Sequence, residues 1–218
     1  RSALNELKFR QKQWMWGVGE RIYARQYQRV VERLGNIAHE LVDQKELARL
    51  ADPFYNEFAR GGEGHLEVGK NVYYTKNHLC HMVLALKPFG CMPSSQSDGV
   101  QSGVANHFKE MIFLPIETSG EGEINAHSRV QMALGEAKVK ARMEFEQVLE
   151  STGKRLEDIK EYVAEHRELR NLFYPVPHRH GIAGVAANFV LHVSDLMNGK
   201  KRLARVPVPV RERELAVA

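Results

Sequence analysis

Positions 79–95 read Leu79-Cys80-His81-Met82-Val83-Leu84-Ala85-Leu86-Lys87-Pro88-Phe89-Gly90-Cys91-Met92-Pro93-Ser94-Ser95. The nearly continuous apolar run that ends at Leu86 is typical of a strand buried on both faces of a parallel sheet. After it, two prolines restrain the chain, Gly90 permits a turn that other residues resist, and the two serines suit the start of a helix. The stretch therefore predicts a strand over 79–86 and a loop that presents Cys91 where the strand ends.

A second apolar run predicts the next strand: Met111-Ile112-Phe113-Leu114-Pro115-Ile116. The segment from Val100 to Phe108 fits a short helix between the two strands. Strand, helix and strand in this order predict a right-handed crossover that joins two adjacent parallel strands. We therefore expect an α/β fold, a helix-rich lobe of the Rossmann or flavodoxin type with a small parallel sheet, followed by a carboxy-terminal helical segment.

Upstream of the sheet, apolar spacings that alternate between four and three predict one long amphipathic helix from about Glu20 to Leu50. Its predicted apolar face consists of Tyr23, Tyr27, Val30, Leu34, Ile37 and Leu41. Gly17 and Gly19 predict a break before this helix, since glycine disfavours helix interiors. Two further helices are expected in this part of the chain, a short one that Asp52-Pro53 opens and that ends at Phe58, and one from Leu66 to about Lys76.

The clearest apolar stripe lies downstream, on a helix predicted from about Ala126 to Leu149 and expected to pack on the sheet. Its members are Val130, Leu134, Ala137, Ala141, Phe145 and Val148. Asn125 is the candidate cap of this helix. A further helix is predicted from about Leu156 to Leu172, and a last one ends at Asn198 with Gly199 as its left-handed cap.

These elements predict four segments along the chain. They are an amino-terminal helical segment (1–60), an α/β lobe with the Cys91 loop (61–150), a helical segment packed on the lobe (151–204) and an extended tail (205–218). Because the sequence begins with Arg1-Ser2 rather than methionine, we expect a fragment or a processed product.

The bulk composition excludes several classes of function. The chain has 218 residues, 27% charged and 43% hydrophobic, which is ordinary for a globular protein and argues against a membrane protein. Its 31 Lys and Arg against 27 Asp and Glu give a net charge of +4, too small and too dispersed for a nucleic-acid surface. We therefore expect neither nucleic acid nor membrane as a partner. Two cysteines in this length suggest a reducing compartment.

The two cysteines have different predicted roles. Cys91 is either a free thiol in a proline-shaped loop or a ligand to a metal or cluster, because thiolates are the ligands such centres require. Cys80 lies at the other end of the predicted strand, roughly 36 Å away if the strand is straight. The two thiols are therefore not expected to share a cluster or a disulfide. Cys80 is predicted to be a small buried hydrophobe.

The segment after the second predicted strand is acidic and should lie at the same sheet edge as Cys91. One interpretation is an exposed acidic turn, and the other is the wall of a cleft. The predicted cleft residues are Pro88, Gly90, Ser94, Ser95, Glu117 and Ser119. Gly120-Glu121-Gly122 is not a phosphate loop, because no Gly-Lys-Ser/Thr follows it.

A third constellation is His178-Arg179-His180, flanked by Pro177 and Gly181. Two histidines two residues apart can face one side of an extended segment and bind a metal with a third ligand. No partner stands at a diagnostic spacing. The favoured interpretation is a loop whose polar side chains cap the last helix.

Four motifs in order resemble the carboxy-terminal part of large acyl-CoA dehydratase activase-related proteins, which belong with the 2-hydroxyglutaryl-CoA dehydratase group of iron–sulfur proteins. They are Pro88-Phe89-Gly90-Cys91-Met92-Pro93-Ser94-Ser95, Ser97-Asp98-Gly99-Val100, Phe113-Leu114-Pro115-Ile116-Glu117-Thr118-Ser119-Gly120 and Ser128-Arg129-Val130-Gln131-Met132-Ala133-Leu134. The likeness runs from about Glu63 to about Val193.

In that group, cysteines at strand ends hold iron–sulfur clusters such as 4Fe-4S, so the resemblance implies Cys91 as a ligand. A chain with two cysteines cannot complete such a site. The remaining ligands are expected from sequence outside the chain or from another subunit, and the chain alone is expected to be inactive and to hold no cluster.

The resemblance further implies cytoplasmic, oxygen-sensitive electron transfer. ATP hydrolysis would take place on a separate activase module and would drive reduction of an acyl-CoA dehydratase-like subunit. A homo-oligomer is a further possibility. The alternative is a non-catalytic scaffold or subunit-docking domain in which Cys91 is a structural thiol.

Overall fold

The computed structural model describes residues 3–34, 41–56, 58–59, 62–118 and 123–200. Seven α-helices and two strands lie in these ranges, which confirms the predicted helix-rich α/β class. In chain order they are α1 (Ala3–Arg33), α2 (Gln44–Ala51), α3 (Gly64–Lys76), β1 (Val83–Pro88), α4 (Met92–His107), β2 (Phe113–Thr118), α5 (Glu123–Thr152), α6 (Leu156–Glu165), a 3-10 helix (Arg167–Arg170) and α7 (Val185–Met197). None of these helices is long and apolar enough to cross a membrane.

The chain divides into two compact units. One consists of Arg1–Leu41 with Asn171–Pro175, and the other of Val42–Arg170 with Val176–Ala218. The four segments predicted from sequence stay a prediction, and the predicted tail 205–218 lies outside the described residues.

The first unit is built on α1. This helix continues through Gly17 and Gly19, so the predicted break is wrong. Glycine in a helix costs about 1 kcal/mol but does not forbid the conformation. The single helix predicted from Glu20 to Leu50 is also wrong, because α1 ends at Arg33 and a separate helix begins at Gln44. Ile37 lies outside the described residues.

The two strands pair in parallel, in a register from Val83 opposite Phe113 to Pro88 opposite Thr118. This confirms the predicted parallel pairing, although the helix between the strands, α4, begins at Met92 rather than at Val100. The predicted burial of β1 on both faces is wrong, because Leu84 and Leu86 are exposed on one face of this two-stranded sheet. β1 starts four residues later than predicted because the chain there still closes the end of α3. The Leu79 amide donates to the Tyr74 carbonyl at 2.9 Å, and His78 takes a left-handed φ of 49°.

Helices α2, α3 and α4 bury the main apolar cluster of the second unit. Its buried members are Leu47, Leu50, Ala51, Val68, Val72, Tyr73 and Val104. The prediction of a helix that begins at Asp52-Pro53 is wrong, because these residues follow α2, which ends at Ala51. Asp43 caps α2 by accepting a hydrogen bond from the Lys45 amide at 3.0 Å, and turns follow Ala51.

The long helix α5 contacts both β2 and α7. The predicted packing of this helix on the sheet is therefore confirmed. Ala137 of its apolar stripe is buried, and that the whole stripe faces the sheet stays a prediction. The helix predicted over 156–172 ends at Glu165, after which a 3-10 helix follows. Gly199 follows α7 with a φ of 74°, as expected for a left-handed cap.

Close packing of α2 on α3 depends on Gly69. A Cβ atom at this position would lie 2.4 Å from the Leu47 backbone oxygen, and backbone cannot move aside as a flexible side chain can. We expect Gly69→Ala to lower the free energy of unfolding by about 1–3 kcal/mol, measured by urea denaturation. Gly135→Ala on α5 is the matched control, since nothing lies within 4 Å of its Cβ position. It should raise stability by up to about 1 kcal/mol, and equal effects of the two changes would contradict this account.

Candidate functional site

Cys91 lies at the carboxyl end of the sheet, between β1 and α4. Gly90 takes a φ of 73°, which turns the chain, and the Cys91 amide donates to the Pro88 carbonyl at 3.2 Å. Cys91 then has the extended backbone of a helix N-cap, and Pro93 stands in the first turn of α4. The Pro-Phe-Gly-Cys-Met-Pro sequence thus places a free, partly exposed thiol at a helix start.

The surroundings of Cys91 favour its thiolate. The Ser94 hydroxyl donates to the Cys91 sulfur at 3.4 Å, and this hydrogen bond, together with the Ser94 backbone N–H, lowers the pKa of the thiol. The amino end of a helix favours a negative charge in addition. The nearby carboxylates of Glu67 and Glu63 act in the opposite direction and limit the shift.

Cys80 has the opposite environment. Its thiol is also free, but burial raises its pKa. It precedes β1 and lines a cavity of about 460 Å³, whose wall also includes His78, His81 and Glu144. The prediction that Cys80 is a buried residue of the strand is wrong, because it lies before β1, is only half-buried and lines this cavity. The predicted ligand role of Cys91 stays a prediction.

A polar seam between α3 and α4 extends inward from the Cys91 loop. The Ser97 hydroxyl donates to Glu67 at 2.6 Å, and the Asn71 side-chain amide donates to Gln101 at 2.6 Å. Asn71, Ser97 and Gln101 are buried. This seam was not predicted from the sequence. The sequence does contain a signal for it. Glu67 and Asn71 are four residues apart on α3, and Ser97 and Gln101 are four apart on α4, so each helix presents two polar side chains on one face.

Lys87 and Asp98 form an ion pair that joins β1 to α4, with the lysine buried and the aspartate half-buried. The Lys87 side chain is only 4% exposed. A lysine in this position is costly to bury without its partner. This pair was not predicted from the sequence, because a single lysine at the end of an apolar run is usually exposed to solvent.

A cavity of about 340 Å³ lies at the same end of the sheet and is lined by Lys87, Asp98, Glu117, Asn125 and Arg129, among others. Glu117 is the one predicted cleft residue among its lining residues. Pro88, Gly90, Ser94 and Ser95 lie instead around Cys91, and Ser119 falls outside the described residues. Asn125 lies within α5, so its predicted role as a helix cap is wrong.

The loop of His178-Arg179-His180 contacts α7 through Arg179. The Arg179 side chain pairs with Asp195, and its amide donates to Asn188 at 2.7 Å. The Ala183 and Gly184 amides before α7 donate to the Glu144 carboxylate at 2.8 and 2.7 Å. A carboxylate on α5 thus binds the amide groups directly before α7, whereas the predicted capping by the histidine loop stays a prediction.

His81 lies 3.1 Å from the same Glu144 carboxylate, so this side chain ties the segment before β1 to α5 and α7. No three His, Cys, Asp or Glu residues in the described part of the chain are placed to hold a metal ion.

Comparison of the chain with family models, with curated protein sequences and with solved structures finds no match. The resemblance carried by the four sequence motifs stays a prediction.

The two thiols should titrate separately. Because the pKa of Cys91 is lowered and that of Cys80 is raised, Cys91 should be alkylated faster by iodoacetamide at every pH below the ordinary thiol pKa. Ser94→Ala should move the pH midpoint of Cys91 alkylation upward and leave that of Cys80 unchanged. Peptide mass spectrometry after timed labelling measures both rates, and faster labelling of Cys80 would contradict the assignment.

Breaking the ion pair of Lys87 with Asp98 should destabilise the fold. Asp98→Asn leaves the Lys87 charge buried without its counter-ion, and we expect a loss of about 3 kcal/mol in the free energy of unfolding. The double variant Lys87→Met/Asp98→Leu should recover most of it. Glu136→Gln, which removes an exposed partner of Lys140, is the control and should cost under about 1 kcal/mol. A neutral Asp98→Asn would show that the pair has no structural role.

Proposed function

We propose that this chain is a lobe of an iron–sulfur protein similar to the dehydratase and activase-related group, and that Cys91 supplies one thiolate ligand to its cluster. The observation that carries the proposal is the free thiol at the carboxyl end of a parallel sheet, held at a helix start with a lowered pKa. The cluster, when bound, supplies one-electron transfer at low potential.

The chain's own residues fit one corner of such a site. Cluster ligation requires a deprotonated cysteine, and the Ser94 hydrogen bonds together with the amino end of α4 stabilise that form at Cys91. A hydrogen bond to a ligating sulfur is also one of the features that set a cluster's potential. The remaining ligands come from outside the described residues, either from further sequence or from another subunit.

The proposed role is ATP-driven electron transfer in which this lobe does not itself bind ATP. The chain contains no Gly-Lys-Ser/Thr phosphate loop, so ATP hydrolysis is assigned to a separate activase module. That module, or a dehydratase-like subunit, is the proposed partner.

A second candidate function is a scaffold or subunit-docking domain without chemistry of its own. The observation in its favour is the apolar surface beside the thiol, where Phe89 and Met92 are 75% and 59% exposed. Exposed apolar side chains of this size are common at contact surfaces.

Metal analysis distinguishes the two functions. Anaerobically purified intact protein, with its partner present, should be brown and should contain iron and acid-labile sulfide. Cys91→Ser should lower both by at least about half, since few clusters tolerate the loss of a thiolate ligand without change. Cys80→Ser is the matched control and should leave iron unchanged.

Colourless, iron-free protein after anaerobic reconstitution would favour the docking function. Full iron content in Cys91→Ser would refute the role of Cys91 while leaving open an iron–sulfur centre elsewhere in the complex.

A further inference from the structure

The two edges of the sheet are chemically different. Hydrogen bonds from Val83 N to Ile112 O and from Phe89 N to Thr118 O show that the odd-numbered residues of β1 direct their backbone groups toward β2. The register then leaves the even-numbered residues of β1, and the odd-numbered residues of β2, facing outward.

The outer edge of β2 is closed to further strands. Pro115 faces outward there and has no N–H to donate, and its carbonyl already accepts a hydrogen bond from Arg129 at 3.0 Å. α5 packs beside it, in contact with β2. Proline at an outward position is a device by which natural sheets end at an edge strand.

Among the described residues, no strand covers the outer edge of β1. Leu84 and Leu86 direct their amide and carbonyl groups away from β2. Their side chains share one face of the sheet and are 38% and 66% exposed. An edge strand with outward-facing backbone groups and exposed leucines is a template for another strand.

We propose that this edge pairs with the same edge of a second copy of the chain, and that β1 and its copy run antiparallel to form a continuous four-stranded sheet. The proposal does not depend on the role of Cys91.

The edge is complementary to itself. Leu84 and Leu86 stand symmetrically about Ala85. A twofold axis at Ala85 therefore creates two equivalent pairs, in each of which Leu84 of one protomer lies opposite Leu86 of its partner. Each such pair exchanges two backbone hydrogen bonds, and the four leucines meet on one face. The small Ala85 side chain suits the close approach of opposed residues at the axis.

No charge on this edge opposes the pairing. The Lys87 ammonium is directed away from solvent into its pair with Asp98. Pro88 is the next outward-facing residue and has no N–H to donate, so the pairing is confined to Leu84 and Leu86. Such a short contact predicts a weak dimer that dissociates on dilution.

Light scattering across about a hundredfold range of protein concentration tests this, because a weak dimer follows mass action. The mass should rise from 24.9 kDa toward twice that value. In parallel, amide exchange measured by NMR should show protection of Leu84 and Leu86 that increases with concentration.

The decisive variant is Leu86→Pro. It removes an outward N–H and leaves the β1–β2 hydrogen bonds in place, as Pro88 already does at the next outward position. It should raise the dimer Kd at least about tenfold. Leu86→Lys tests the side-chain face and should have the same effect, whereas Met132→Lys, at an exposed apolar residue of α5, should have none.

Circular dichroism verifies that each variant is folded. A monomer at every concentration would overturn the proposal. A dimer that survives both Leu86 variants, or that forms without protection of the Leu84 and Leu86 amides, would also overturn it.

Discussion

The parallel pairing of β1 with β2 is the constraint on which the arrangement of the site depends. Two parallel strands cannot be joined by a tight turn, so α4 must cross from the end of β1 to the start of β2. That crossover brings the Cys91 loop and Glu117 to the same edge of the sheet. It also fixes the start of α4 directly after β1, where the amino end of a helix meets a thiol. The ion pair of Lys87 with Asp98 holds the strand and the crossover helix together at this point.

Position in this crossover gives two cysteines of one chain opposite properties. Cys91 is placed at a helix start with a serine hydroxyl beside its sulfur, and its pKa is lowered. Cys80 precedes the same strand in a partly buried environment, and its pKa is raised. Only the surroundings of Cys91 stabilise the thiolate, which is the form that ligates iron. The polar seam of Glu67, Asn71, Ser97 and Gln101 lies behind it and links α3 to α4.

Much of the fold follows from local pattern. The two apolar runs predicted both strands and their parallel pairing, and the stripe from Val130 to Val148 predicted α5. The ends of the helices and strands were harder to predict. The hydrogen bond from Leu79 back to Tyr74 makes β1 start later than its apolar run, and the Asp43 cap sets the start of α2. Contacts between distant residues, such as Lys87 with Asp98 and Glu144 with the start of α7, have no local signature. The position of Cys91 was predictable from its turn, whereas the Ser94 hydrogen bond depends on how α4 begins.

The central claim is that Cys91 binds iron through its thiolate. Electron paramagnetic resonance of the dithionite-reduced, anaerobically prepared intact protein tests it most directly, since a reduced cluster with a half-integer spin gives a signal sensitive to each ligand. If Cys91 ligates the cluster, the wild type and Cys80→Ser should give such a signal, and Cys91→Ser should give a changed signal or none. An identical spectrum in the wild type and Cys91→Ser would contradict it.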